Sequence, residues 1–168
     1  MPFLWILFAV LVLLLAAGFA GFQFACVKRC LPPEPLTEDY IRRSSFAKWT
    51  DSLFFGAEWF RLQKPETLHV VSYDGKLLHA TFLPKEHAKG TILLFHGYKS
   101  CWQIDFGLVL PYYYDTLGYS LLLVDQRAHQ DSEGTFLTFG AKERYDVISW
   151  VTYLGQMLRQ THPLFLGG

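Results

Sequence analysis

Residues 90–97, GTILLFHG, decide the fold class: four consecutive apolar residues lie between a glycine-threonine start and a histidine-glycine end. Apolar and polar residues do not alternate, so a strand formed here is buried on both faces, as strands are in the middle of a parallel sheet. Downstream, YSLLLVD (119–125) repeats the pattern and PLFLGG (163–168) supplies a third such strand. The segments between them are helical. One runs from about Cys101 to Leu117, with Pro111 as a kink and Gly118 as a stop. The other runs from Ala141 to Gln160 and places Val147, Ile148, Val151, Leu154 and Leu158 on one side. Strand, helix, strand, helix, strand is the order of a mostly parallel α/β sheet. Upstream, TLHVVSY (67–73) and KLLHATFL (76–83) flank Asp74-Gly75, which predicts a hairpin closed by a tight primed turn.

The N-terminus has a different character. Residues 3–27, FLWILFAVLVLLLAAGFAGFQFACV, carry no charge, and a helix of that length exceeds the ~30 Å hydrocarbon core of a bilayer. A single membrane-spanning anchor is the reading. A cleaved signal peptide is the rival, although its apolar region is ordinarily about 7 to 15 residues after a basic start, and no basic residue precedes this run. Lys28 and Arg29 follow directly, so the positive-inside rule leans towards a cytoplasmic C-terminal portion. Pro32, Pro33 and Pro35 then make a short stiff linker. Thr37 is placed as the N-cap of one amphipathic helix over Glu38–Leu62, with Phe46, Trp49, Leu53, Ala57 and Phe60 on its packing face. Three regions result: the anchor (1–30), the linker with amphipathic helix (31–62) and the α/β domain (63–168).

Composition removes several classes of function. Of 168 residues, 51% are hydrophobic, which excludes a disordered chain, and Lys plus Arg balances Asp plus Glu at 15 each, which offers no basic surface to nucleic acid. The three cysteines, Cys26, Cys30 and Cys101, have neither zinc-site nor disulfide-framework spacing, and no His and carboxylate cluster stands at ligand spacing along the chain. No metal or other cofactor is expected. The bilayer is the expected partner of the anchor.

Ligands of an open α/β sheet bind beyond the carboxyl ends of its strands. Here those ends carry His96-Gly97-Tyr98-Lys99 and Asp125-Gln126-Arg127-Ala128-His129. Gly97 lets the backbone approach a ligand, and the amide after it can point at developing negative charge. Each histidine taken singly also reads as a hydrogen-bonded structural residue.

The succession TILLFHGYKS (91–100), GYSLLLVDQRAHQDSEGTFLTFG (118–140) and ERYDVISWVTYL (143–154) resembles the N-terminal half of an α/β-hydrolase. Within that superfamily it is similar to the serine aminopeptidase-like or monoglyceride-lipase-like group, membrane-anchored bacterial members included. The resemblance covers roughly residues 66–168 and rests on His-Gly after one strand combined with D-x-R-x-H-x-x-S after the next. It implies a Ser-His-acid hydrolase working through an acyl-enzyme, with the Tyr98 amide as one oxyanion donor. Asp125, Arg127, His129 and Ser132 would then form a loop that supports the site, together with His96 and Gly97. The family's loop usually reads R-G-H-G-x-S. Ala128 and Gln130 replace its two glycines, and Gln130 is expected to strain the backbone while Ala128 changes little.

In that family the fifth strand runs into G-x-S-x-G, the turn that exposes the nucleophile, and acid and base follow it. PLFLGG resembles that strand, with Gly168 as the first glycine of the turn. The resemblance therefore places the triad beyond Gly168, and none of the histidines at 69, 79, 87, 96, 129 and 162 serves as its base. These 168 residues are expected to be inactive as a hydrolase. Ester, amide and peptide substrates remain equally open. The alternatives are a noncatalytic membrane-tethered binding module and a tethered structural module whose loops only brace the sheet.

Overall fold

A computed structural model describes residues 2–27, 37–158 and 163–168. Lys28, Arg29, Cys30, the linker prolines, Gln160 and His162 lie outside the described residues. The first element is α1 (Pro2–Cys26), 25 residues with none buried, which is long and apolar enough to cross a membrane.

After it come α2 (Glu38–Arg43), a 3-10 turn (Ala47–Trp49) and α3 (Thr50–Arg61). Thr37 caps α2 as expected, its hydroxyl accepting from the Tyr40 N–H at 3.3 Å. The single helix expected over 38–62 is broken, and Ser44 breaks it. Its hydroxyl donates to the Ile41 carbonyl at 2.8 Å and accepts from the Phe46 N–H at 3.1 Å, a local alternative to continued helix. The buried stripe of α3 accordingly runs Thr50, Leu53, Gly56, while Ala57 is exposed. Gly56 is required by the packing: a Cβ there would stand 2.1 Å from the Gly107 carbonyl oxygen.

The sheet has five strands in the order β1 (Glu66–Val71), β2 (Leu77–Leu83), β4 (Ser120–Val124), β3 (Thr91–Phe95), β5 (Leu164–Gly167). β3, β4 and β5 run parallel, and β2 is antiparallel to both β1 and β4. β3 therefore lies between its two parallel successors. The crossover through α4 (Trp102–Phe106) and a π-helical turn (Tyr112–Thr116) leads to one side of it, and the crossover through α5 (Glu143–Met157) leads back to the other. Right-handed crossovers in opposite directions put their helices on opposite faces of a sheet.

The core confirms this. Leu93, Leu122 and Val124 pack with Trp150 and Leu154 of α5, while Leu94, Leu121 and Leu123 pack with Trp102 and Leu110 on the α4 side. Adjacent residues of β3 and of β4 feed two cores, which explains their unbroken apolar runs. β5, expected to be buried on both faces, lies at the sheet edge with Phe165 and Leu166 exposed.

Three further local expectations change. The helix expected from about Cys101 to Leu117 is two short elements, α4 and the π-helical turn. The hairpin loop is Tyr73–Gly75 with Gly75 at φ +78, closed by the Gly75 N–H on the Ser72 carbonyl and the Ser72 N–H on the Lys76 carbonyl. It is a bulged loop in place of a two-residue primed turn. Asp74 faces inward from it, hydrogen-bonded by the Ser72 hydroxyl at 2.7 Å. On α5 the buried stripe is Asp146, Trp150, Leu154, and Ile148 is exposed. Val151, Leu154 and Leu158 of the expected face pack on the core, and the buried acid shifts that face away from Ile148.

Candidate active site at the strand ends

The register Leu94↔Gly167 sets Gly168 beside Phe95, where β3 passes into His96-Gly97-Tyr98. A Cβ on Gly168 would lie 3.1 Å from the Phe95 carbonyl oxygen. The Gly97 N–H donates to Asp105 Oδ2 at 2.6 Å, and Asp105 Oδ1 accepts from the Ser100 hydroxyl at 2.6 Å. Asp105, in α4, thus shapes the loop after β3, a role that no motif in the sequence signalled. Among the described residues, the Tyr98 N–H has no hydrogen-bond acceptor.

The second loop joins the first through His96, which is buried. His96 Nδ1 lies 3.0 Å from the Gly97 carbonyl, and the Gln126 N–H donates to Nε2 at 3.2 Å, so the neutral ring carries its proton on Nδ1. The Gln126 side-chain amide donates to the His96 carbonyl. The rings of His96 and His129 meet edge to face, centroids 4.6 Å apart. Ser132 donates to the Asp125 carbonyl at 2.6 Å and accepts from the His79 N–H at 2.8 Å, tying the loop to β2.

Arg127 is the centre of a buried ion network. It grips Asp146 of α5 with two bonds of 2.6 Å and Asp74 of the hairpin loop with two of 3.1 Å, and Lys142 adds a contact to Asp74 at 3.2 Å. Hydrogen bonds from Arg127 and then Ser72 hold the Asp74 carboxyl well below its usual range, whereas burial pushes Asp146 up against the pull of Arg127. The anchoring acids lie 53 residues before and 19 after Arg127. Sequence spacing does not show such partners.

Backbone strain concentrates in the same loop. Gln130 sits at φ +36, where strain was expected, but Ala128 sits at φ +59, so the alanine does not leave that position unstrained. Either residue in the left-handed region costs about 1 kcal/mol.

The fold also assembles a group that chain spacing could not reveal: His79, Asp125 and Asp131, whose ligand atoms lie within 4.8 Å of one another. His79 Nδ1 and Asp125 Oδ2 are 2.6 Å apart, a hydrogen-bond separation. Donors sharing a tetrahedral ion at ~2 Å stand ~3.3 Å apart, so the group as placed is a hydrogen-bonded pair beside an exposed carboxylate.

Gly97 separates two cavities. One, of about 450 Å³, is lined by Gly97, Gly168 and mostly apolar side chains, including Phe46, Trp49, Phe95 and Leu108. The other, of about 240 Å³, is lined by Tyr98, His96, His129, Phe139 and Glu143 among others. A separate apolar cavity of about 270 Å³ between α2, α3 and α4 has Gln103 as its one polar lining side chain and no titratable group, so it lacks the means for catalysis.

Among solved structures, an esterase of Pyrococcus furiosus, Pf2001, superposes on 62% of this chain and 40% of its own, at 22% identity with a TM-score of 0.55. The chain carries the first part of the α/β-hydrolase fold. A second crystal form of that esterase gives a TM-score of 0.53 at 20% identity, over 62% of this chain and 39% of the esterase. An α/β-hydrolase of Vibrio vulnificus is looser, with a TM-score of 0.46 at 15% identity over 78% of this chain and 48% of its own. No protein-family model and no curated protein matches the chain. The chain therefore spans about two fifths of the esterase's length, and the α/β-hydrolase likeness concerns fold.

His96 gives the junction of the two loops a pH dependence. Burial lowers its pKa, against the pull of the Gly97 carbonyl. Below the ordinary histidine value of about 6.5, the unfolded chain takes up a proton that the folded site resists. Stability is thus full above that value and falls as pH drops towards the depressed folded value. Urea midpoints should decrease from pH 7.5 to pH 5.5, roughly the window set by the ordinary value. The decrease should be smaller in His96→Gln; equal decreases in the two proteins would show that His96 is not responsible.

Proposed function

We propose that the protein is a membrane-anchored serine hydrolase of the serine aminopeptidase-like kind, in which α1 is the anchor and the Tyr98 amide is an oxyanion donor. The observation that carries this reading is the Tyr98 N–H, without an acceptor among the described residues, in the loop that follows β3 beside Gly168. Gly168 follows a strand parallel to β3, which supports reading it as the first glycine of the nucleophile turn. A serine presented there would attack a carbonyl whose oxygen becomes negative next to the Tyr98 amide, and that amide stabilises the tetrahedral intermediate. The apolar walls of the Gly97–Gly168 cavity suit an apolar part of the substrate. Neighbouring serines are otherwise engaged: Ser100 with Asp105, Ser132 with Asp125 and His79.

A fluorophosphonate probe, which labels activated serines, tests the assignment on the protein extended through its downstream reading frame. The expected result is one adduct, on a serine two positions beyond Gly168. An adduct on Ser100 or Ser132, or no adduct in folded protein, overturns it. The last outcome is the one that a noncatalytic tethered module would give.

A further inference from the structure

The end of α1 and the rim of the site form one surface. Three carbonyls of the last helical turn accept hydrogen bonds from the site's loops: Phe24 from Lys99 Nζ at 2.5 Å, Ala25 from the Tyr98 hydroxyl at 2.7 Å, and Cys26 from the Leu137 N–H at 2.7 Å. Val27 forms an antiparallel bridge with Phe136, and the rings of Phe22 and Phe136 lie 5.9 Å apart. Helix ends leave such carbonyls without intrahelical partners, and a lysine there also complements the negative end of the helix dipole. Lys99 reaches its carbonyl from a backbone at φ +49.

The rest of the rim is built for an interface between lipid and water. A 25-residue helix is ~37 Å long against ~30 Å of hydrocarbon. A spanning α1 therefore has about one turn to spare for the interfacial layer, and the last turn carries Phe24, with Phe22 just before it. Phe24 is 81% exposed, Phe139 68% and Tyr98 54%, and the rings of Tyr98 and Phe139 stack with centroids 5.5 Å apart. Exposed aromatics around a tyrosine and a lysine at the end of an apolar span have the composition of an interfacial belt. Tyr98 and Phe139 also line the cavity of His96 and His129.

We propose that the loops carrying Tyr98-Lys99 and Phe136–Phe139 rest on the phospholipid surface at the end of α1, so that the site's mouth opens onto the bilayer interface. This rests on α1 spanning the membrane, and it adds the orientation of the catalytic domain. Substrate then reaches the Tyr98 side of the site along the membrane surface, and Tyr98 links the two: its side chain holds the helix end while its amide faces the chemistry.

Site-directed nitroxide labels on the full-length protein in phosphatidylcholine vesicles test the orientation, with the native cysteines replaced by serine. Labels are placed by Val10→Cys in α1, by Phe139→Cys and Phe136→Cys on the rim, and by Ile148→Cys on the exposed face of α5. Molecular oxygen, which concentrates in lipid, and a nickel chelate, which stays in water, report the depth of each label. The expected result is lipid exposure at 10, several-fold lower nickel accessibility at 136 and 139 than at 148, and water exposure at 148. Nickel accessibility at 136 and 139 equal to that at 148, with 10 in lipid, overturns the orientation and leaves the anchor standing. Water exposure at 10 overturns both. Two rim positions guard against a label that disturbs its own loop, and circular dichroism of each labelled protein checks its fold.

Discussion

Tyr98→Pro should slow acylation of the full-length protein by about 100- to 1000-fold, the usual effect of losing one oxyanion donor. Proline deletes the N–H and leaves the preceding Gly97 backbone room to adjust. Tyr98→Phe is the informative comparison. It keeps the amide but loses the hydroxyl bond to the Ala25 carbonyl, so its effect on acylation should stay within about tenfold, as for loss of one exposed hydrogen bond. The acylation burst with an activated p-nitrophenyl ester, which releases p-nitrophenol as the acyl-enzyme forms, measures both, and thermal melts establish that each variant is folded. Equal rates for the two would remove the Tyr98 amide from the chemistry.

Arg127→Met should destabilise the fold by about 3–5 kcal/mol, because it leaves two carboxylates without their partner in a low-dielectric site. Asp146 is buried and Asp74 largely so, and Lys142, itself half-exposed, can satisfy only part of Asp74. Adding Asp146→Leu to Arg127→Met should recover much of the loss, since an apolar replacement of a buried pair is far less costly than half of one. Urea unfolding of the single and double variants gives the coupling. If Arg127→Met unfolds at the wild-type midpoint, the network does not hold the hairpin loop, the second strand-end loop and α5 together.

The parts legible in the sequence were those governed by nearest neighbours. GTILLFHG and YSLLLVD are unbroken apolar runs because adjacent residues of one strand feed two different cores, whereas PLFLGG forms the third parallel strand at the sheet edge with Phe165 and Leu166 exposed. α1 was legible because 25 residues without a charge can be read from composition alone. The amphipathic region was only partly legible: Thr37 declared the helix start, but the periodic pattern ran through Ser44, whose hydroxyl competes for the backbone. The α5 face was legible at Val151, Leu154 and Leu158 but not at its edge, because hydrophobicity cannot announce a buried aspartate whose partner is far away in the chain.

The candidate site divides in the same way. The chain order set the residues His96, Gly97, Tyr98, Asp125, Arg127, His129, Ser132 and Gly168 at strand ends, since residue identity and strand position are local properties. Their arrangement required the folded chain. Asp105 holding the Gly97 amide, Asp74 and Asp146 gripping Arg127, and the last turn of α1 capped by Tyr98 and Lys99 are pairings between segments with no common period. Hydrophobic patterning specifies which face of a segment is buried, whereas hydrogen bonds and ion pairs depend on which segments the sheet order brings together. Sequence by itself determined the long apolar helix, the strands and the loops between them. Tertiary structure decided that the Tyr98 N–H has no acceptor among the described residues and that α1 ends on the loops after β3 and β4, because both depend on distances across the sheet that the chain does not encode locally.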